Sequence, residues 1–414
     1  MNDTPCHDRA EAREDGLAER LLFTCLRQTG PIRDAQDSGR SGADDGKAAW
    51  QTICLHGLAP LAAAVFSGDR PPAPLPAEWP KDLKSVLHRC VRLHQLALNA
   101  LAEIAPKFKQ AGVPCAVLKG PHLYEAYYDR RFPRPYADID LLVRRQDLDR
   151  ALALLNESGY RAAGGRLHQF IMRRVHFHLV LRPETRAGLN IELHRSLVDR
   201  ANLYRVDEEA VLSRAVEWGA DTARFGVLSV EDTFLYLGLH LAKHGLFNRM
   251  GLQRGFPAEW FCRPASGNRL IWYVDLDLFL RAEQERMDWN AVRRRAAEWN
   301  ILPDVLDSLR VMSLLLPDSP AAAAIQILSP GAAGASASRG PRARFPPPPR
   351  EVRGMDFLMR MNSVLRFRPA RLLFLARLFF PAPRDLRAYH RNSRWPLPVL
   401  YLRHACHMLG KLLR

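Results

Sequence analysis

Apolar positions near a 3.6-residue period predict helices at residues 17–28 and 50–67, and a longer one over 81–111. In the last, Leu83, Val86, Leu87, Cys90, Leu93, Leu96, Leu98 and Leu101 form a stripe that Gly112 and Pro114 end. Between these helices, residues 29–47 are rich in Gly, Ser and Asp, which predicts a loop, and residues 71–80 hold five prolines, which predicts a linker. The texture changes at Cys115. A short apolar run, Cys115-Ala-Val-Leu118, reads as a buried strand ended by the turn Lys119-Gly120-Pro121. A helix is expected over 122–128, then a loop with three arginines and two prolines over 129–135. Asp138-Ile-Asp-Leu-Leu-Val143 alternates and then turns fully apolar, as a central strand does. Residues 146–159 are amphipathic, with Leu148, Leu152 and Leu155 on one face and Gly159 as a stop. Two further strands, 175–181 and 189–194, flank a hairpin signal.

This succession of strands and helices describes an α/β unit. Residues 205–316 return to helical periodicity (228–244, 272–282, 288–300 and 302–316), with 249–269 as a Gly/Pro/Arg-rich surface loop. Residues 319–349 are Ala/Ser/Gly-rich and end in consecutive prolines, and 354–414 are short amphipathic pieces carrying Arg and Leu. The expected organisation is a helical region (1–111), an α/β core (112–204), a helical domain (205–316), a linker (317–353) and a basic tail (354–414). No repeat of fixed period is present.

Composition narrows the class. With 47% hydrophobic and 25% charged residues the chain is globular in kind. No apolar run approaches the roughly 20 residues of a membrane span, and the acidic first residues are unlike a secretory signal. The seven cysteines are scattered without a CxxC pair, which fits a reducing cytoplasm better than a disulfide framework. The net charge of +16 is uneven: residues 339–414 carry 17 Lys+Arg against 3 Asp+Glu, so +14 of it lies in the tail. That balance points to an anionic partner, with a membrane surface preferred because no nucleic-acid-binding module is recognisable.

Three motifs carry candidate chemistry. Asp138 and Asp140 are two apart on a strand and project from one face, where like charges are best tolerated around a cation such as Mg²⁺; one carboxylate capping the loop and one in water is the alternative. Lys119-Gly120 follows a strand and precedes a helix, where a backbone can approach a phosphate and a lysine can add charge; a plain connecting turn is the alternative. In Leu189-Asn-Ile-Glu-Leu-His194, alternation puts Asn190, Glu192 and His194 on one face, so Glu192 could be a third acid; a solvated edge-strand carboxylate is the alternative. Glycine turn, DxD and lone acid, in that order, form the layout of a two-metal nucleotidyl transfer. Arg130, Arg131 and Arg134 could clamp a phosphate or an acidic acceptor; a solvated loop is the alternative. His194, His240 and Lys243 are candidate substrate contacts. His176 and His178 share a face, but with no third ligand nearby in sequence they read as outward polar positions. His240 and His244, four apart, lack the glutamate of a HExxH site.

The series Ala116-Val-Leu-Lys-Gly120, Arg134-Pro-Tyr-Ala-Asp138-Ile-Asp-Leu-Leu-Val143, Leu152–Tyr160 and Ile191-Glu-Leu-His194 resembles the uncharacterised nucleotidyltransferase family of the polymerase-beta superfamily. The apolar helix with His240 and Lys243-His244, followed by Trp272-Tyr-Val-Asp-Leu276, resembles that family's helical half. The resemblance covers about residues 80–315. It implies an α+β fold with a polymerase-beta-like core (a small mixed sheet with flanking helices), Mg²⁺, and transfer of a nucleoside monophosphate from a nucleoside triphosphate (NTP) to a hydroxyl or phosphate acceptor in surface-polysaccharide biosynthesis. Asp138, Asp140 and Glu192 would then be catalytic metal ligands, with Lys119, Gly120 and Arg134 on the nucleotide. The turn departs from the superfamily's Gly-Gly or Gly-Ser: Pro121 removes an N–H, and no serine hydroxyl is present. A non-catalytic scaffold with the same fold is the competing class. In the tail, residues 366–380 interleave Arg366, Arg368, Arg371 and Arg377 with Leu372, Leu373, Phe374, Leu378, Phe379 and Phe380, as in a segment lying at a membrane interface. The expected location is cytoplasmic, with the tail touching the inner membrane.

Overall fold

The computed structural model describes residues 43–67, 79, 82–128, 132–163, 177–185, 188–198, 204–219, 224–245, 248–262, 267–329, 380, 383, 386 and 395–412. The expected helix at 17–28, most of the linker after 329 and the Arg/Phe segment 366–379 lie outside them. Helices α1 (Ala43–Leu55) and α2 (Ala59–Ser67) replace the single helix expected over 50–67. The break falls at Gly57, which has a left-handed φ of 74°. Helix α3 (Leu83–Gln110) is the long predicted helix, capped by Asp82 accepting from the Ser85 N–H.

Seven strands form one mixed sheet: β1 (Cys115–Val117), β2 (Asp138–Val143), β3 (Tyr160–Ala162), β4 (His178–Pro183), β5 (Asn190–His194), β6 (Val216–Trp218) and β7 (Phe225–Val227), in the order β3-β4-β5-β2-β1-β7-β6. Between β1 and β2 lies α4 (Pro121–Tyr127), and between β2 and β3 lies α5 (Leu148–Glu157). The central pair β2–β5 is parallel, and β4 is antiparallel to β5, as the hairpin signal predicts. Helix α6 (Glu208–Ser213) precedes β6. Strands β6 and β7 correct the purely helical reading of 205–316. They form an antiparallel pair, and β7 runs parallel to β1 and extends the sheet.

The helical half comprises α7 (Val230–His244), α8 (Asn248–Gln253), α9 (Ala258–Phe261), α10 (Leu270–Glu283), α11 (Trp289–Glu298), α12 (Leu302–Leu315) and α13 (Ala321–Leu328), with α14 (Leu397–Leu412) in the tail. Two expectations change here. The described residues of 249–269 are not wholly a surface loop, because Trp260, Phe261 and Cys262 are buried and Asn248, Asn268 and Tyr273 hydrogen-bond one another in the interior. The predicted linker begins with α13, whose Ala321, Ala324 and Leu328 are buried in the helical core.

The sheet separates two cores. Ile139, Leu141 and Val143 of β2, with Ile191 and Leu193 of β5, pack against Leu101, Ile104 and Phe108 of α3 and Leu148, Leu152 and Leu155 of α5. Leu142, one residue out of step, belongs to the core of the helical half. Alternation along a strand therefore turns Asp138 and Asp140 away from α3 and α5 and towards the helical half.

Candidate active site

The parallel register of β2 and β5 sets Asp138 opposite Asn190, Asp140 opposite Glu192 and Leu142 opposite His194. On the next strand His178 is opposite His194. Asp138, Asp140, Glu192, His194 and His178 thus come from three adjacent strands. They line a cleft of about 480 Å³ that also takes in Lys119 and Gly120, Tyr136, and Tyr236, His240, Lys243, His244 and Trp272 of the helical half.

At the turn, Gly120 has φ 66° and ψ −107°, a conformation that L side chains rarely adopt. It brings Lys119 back over the sheet, where the ammonium lies 3.2 Å from Asp140 Oδ2. Burial alone would lower the Lys119 pKa, but the charges of Asp140, Asp138 and Glu192 hold it above its usual value.

Asp140 is 1% exposed. Its Oδ1 lies 3.0 Å from His194 Nε2, and its buried Oδ2 faces the Lys119 ammonium. Burial would raise its pKa; the Lys119 ammonium and the His194 imidazole outweigh burial and hold the carboxyl well below the usual range. Asp138 is the counterpart. Burial, and then the Asp140 charge, push it up to about 6, and among the described residues no hydrogen bond or ion pair meets its carboxylate. Two carboxylates on one strand face are thus driven apart in acidity, the expected state of a pair whose shared positive charge is incomplete.

Glu192 Oε2 lies 3.6 Å from His194 Nε2 and 3.7 Å from His178 Nε2. Burial opposes ionisation of Glu192, but His194 and His178 hold its pKa below the usual value. For His194, burial would lower the pKa, and the neighbouring carboxylates of Asp140 and Glu192 raise it.

The far wall comes from α7 and α10. His240 is buried, with its Nε2 unpartnered, and its ring lies edge-on to Trp272 at 4.8 Å. Burial first and Lys119 second keep it neutral, with a pKa far below the usual value. Lys243 donates to the Leu197 carbonyl at 3.1 Å and stands 4.2 Å over the Phe177 ring. Arg134 departs from the expected phosphate clamp. Its fork is closed on Asp275 of α10 through two 2.6 Å bonds, and Tyr128 donates to the same carboxylate, so Arg134 braces the cleft wall. Arg130 and Arg131 lie outside the described residues.

A model of the family described as uncharacterised nucleotidyltransferase matches residues 43–317. The chain belongs to this family. No curated protein matches it. The nucleotidyltransferase match takes in both walls of the cleft and all of the sheet.

Some cleft residues were not expected at the site, His178 and Tyr136 among them. His178 gains its partners from β5, across a hairpin, which spacing along the chain does not reveal. Tyr136 packs against Gly120 and contacts His94 Nδ1 through its hydroxyl at 2.6 Å, while the other nitrogen of His94 pairs with Glu125. The signal available for Tyr136 was its position two residues before the DxD.

Proposed function

We propose that the protein is a Mg²⁺-dependent nucleotidyltransferase with a polymerase-beta-like core. It would transfer a nucleoside monophosphate from an NTP to a hydroxyl or phosphate acceptor. The observation that carries this reading is the β2–β5 register, which aligns Asp140 with Glu192 beneath the cleft and Asp138 one step along the same face. The donor set fits the cation. The three groups offer carboxylate oxygens, and burial together with the Asp140 charge pushes Asp138 up to about 6, a cost that a cation between the carboxylates would relieve.

When bound, Mg²⁺ would neutralise the triphosphate and acidify the acceptor hydroxyl. Asp138, Asp140 and Glu192 would hold it, with Glu192, on the neighbouring strand, on the side towards the acceptor. Lys119 would meet a phosphate oxygen at the turn. The neutral ring of His240, and Lys243, line the wall that an acceptor would contact. The acceptor oxygen would form a bond to the α-phosphorus as the bond to pyrophosphate breaks.

The test is label transfer from each of four α-labelled NTPs to sugar, phosphate and protein acceptors, with pyrophosphate release as the second readout. Asp138→Asn and Asp140→Asn should lower transfer by at least about 10³-fold, as expected for loss of transition-state charge stabilisation. Transfer equal to wild type in both variants would refute the assignment. The scaffold reading draws on the Lys119-Gly120-Pro121 turn, where the lysine is already paired with Asp140. It predicts no NTP binding at all.

We also propose that the tail touches an anionic membrane face. In support, residues 339–414 hold most of the net charge, and Phe380, Trp395, Val399 and Leu402 are exposed. Among the described residues no helix is long and apolar enough to cross a membrane.

A further inference from the structure

One cluster in the cleft has a donor chemistry that Mg²⁺ does not explain. His178 Nε2 and His194 Nε2 converge on one oxygen, Glu192 Oε2, at 3.7 and 3.6 Å, and a bound ion would replace the 3.0 Å contact that His194 Nε2 makes with Asp140 Oδ1. The three ligand atoms lie within 4.8 Å of one another. The 3.6 and 3.7 Å separations are too long for good hydrogen bonds. They are close to the edge of a coordination tetrahedron, which for metal–ligand bonds of about 2.0–2.2 Å is about 3.3–3.6 Å. The two rings are 5.0 Å apart and tilted by 35°, so neither blocks the other's approach to a common point.

The support is rigid. β4 and β5 are paired in register through His178–His194 and Val180–Glu192, so both imidazoles and the carboxylate rise from one face of one hairpin. All three side chains are largely buried, with His194 the most and Glu192 the least enclosed. The fourth side opens to the cleft. Three protein ligands with an open position facing a cleft is the form of a catalytic rather than a closed structural metal site.

We propose that His178, Glu192 and His194 form a three-ligand site for a borderline transition-metal ion, Zn²⁺ or a chemically similar ion. Imidazole nitrogen favours such ions over Mg²⁺, which takes oxygen ligands and water. Glu192 would be shared between this ion and the carboxylate set of Asp138 and Asp140. The protein would then hold two chemically different cations side by side on one sheet face. The site shares Glu192 with the nucleotidyl-transfer reading, but its metal binding can be tested without nucleotide or acceptor.

The experiment is titration of the chelator-treated full chain with Zn²⁺ in competition with a chromophoric chelator, without nucleotide. Co²⁺ is titrated in parallel and followed by its visible absorption. Wild type should take up one Zn²⁺ per chain at least about 100-fold more tightly than Mg²⁺, and its Co²⁺ adduct should show the strong bands of low coordination number. His178→Ala should weaken Zn²⁺ uptake by at least about 100-fold and remove those bands. His178→Gln, a polar side chain of similar reach, should show the same loss and guards against a folding defect. Asp138→Asn, outside the ligand set, should bind Zn²⁺ within about threefold of wild type. Zn²⁺ binding by wild type no tighter than Mg²⁺, or wild-type affinity in either folded His178 variant, would overturn the proposal. Loss of nucleotidyl transfer in Asp138→Asn with Zn²⁺ uptake intact would separate this site from the Mg²⁺ reading.

Discussion

Asp138 and Asp140 were legible as a pair because strand alternation is local: residues two apart share a face whatever the rest of the chain does. The difference between them was not legible, since it arises from Lys119 and His194, which reach Asp140 from other segments. That difference has a consequence for stability. The folded-state pKa of Asp138, about 6, lies above that of an unfolded aspartate. Its contribution to stability is therefore full below about pH 4 and is lost as pH rises through 6. In metal-free protein, Asp138→Asn should match wild type in melting temperature at pH 4 and exceed it at pH 8. Partial exposure of the site limits the gain to on the order of 1 kcal/mol, or about 2 °C. Thermal melts at the two pH values check this, and a variant that melts below wild type at pH 8 would contradict it. His178 marks the limit of sequence reading at this scale. It was set aside for want of a third ligand nearby, and the ligands stand on the paired strand.

Among the elements, the long and strongly periodic ones were read correctly: α3, β2, α7, α10 and α12 fall within a few residues of their predicted spans. The three-residue strands β6 and β7 were missed because they are too short to show alternation, and their evidence is tertiary. Gly226 of β7 passes so close to β1 that an added Cβ would lie 2.3 Å from the Cys115 carbonyl oxygen, a requirement visible once the two strands are paired. The loop before β2 was read as a phosphate clamp because its arginines stand beside the DxD. In the fold, Arg134 instead ties that loop to α10 through Asp275, with both side chains at most 4% exposed. Removing one partner leaves a buried, uncompensated charge. Arg134→Met or Asp275→Leu should each cost about 3–5 kcal/mol, and the double variant should recover most of that loss. Urea unfolding of the three variants measures it. Additive losses in the double variant would show that the two side chains are not a coupled pair.

At the scale of the molecule, the cleft exists because the sheet turns its carboxylate face towards a helical half that supplies His240, Lys243 and Trp272. The family match spans both parts. The tail lies beyond that match, and its +14 charge was readable from composition alone. Each Lys or Arg near an anionic leaflet contributes about 1 kcal/mol before screening. Co-sedimentation of the full chain with vesicles should rise with anionic lipid, fall with salt and disappear on truncation at Gly354; equal sedimentation of full-length and truncated chains would contradict a membrane role. The central claim concerns the cleft itself. Its most direct measurement is calorimetric titration of the full chain with each of the four NTPs, with and without Mg²⁺, for wild type and for Asp140→Asn. The account predicts that at least one NTP binds wild type with Mg²⁺, and that this binding is lost or weakened at least about tenfold both without the ion and in Asp140→Asn. Failure of all four to bind, or binding indifferent to both Mg²⁺ and Asp140, would contradict it.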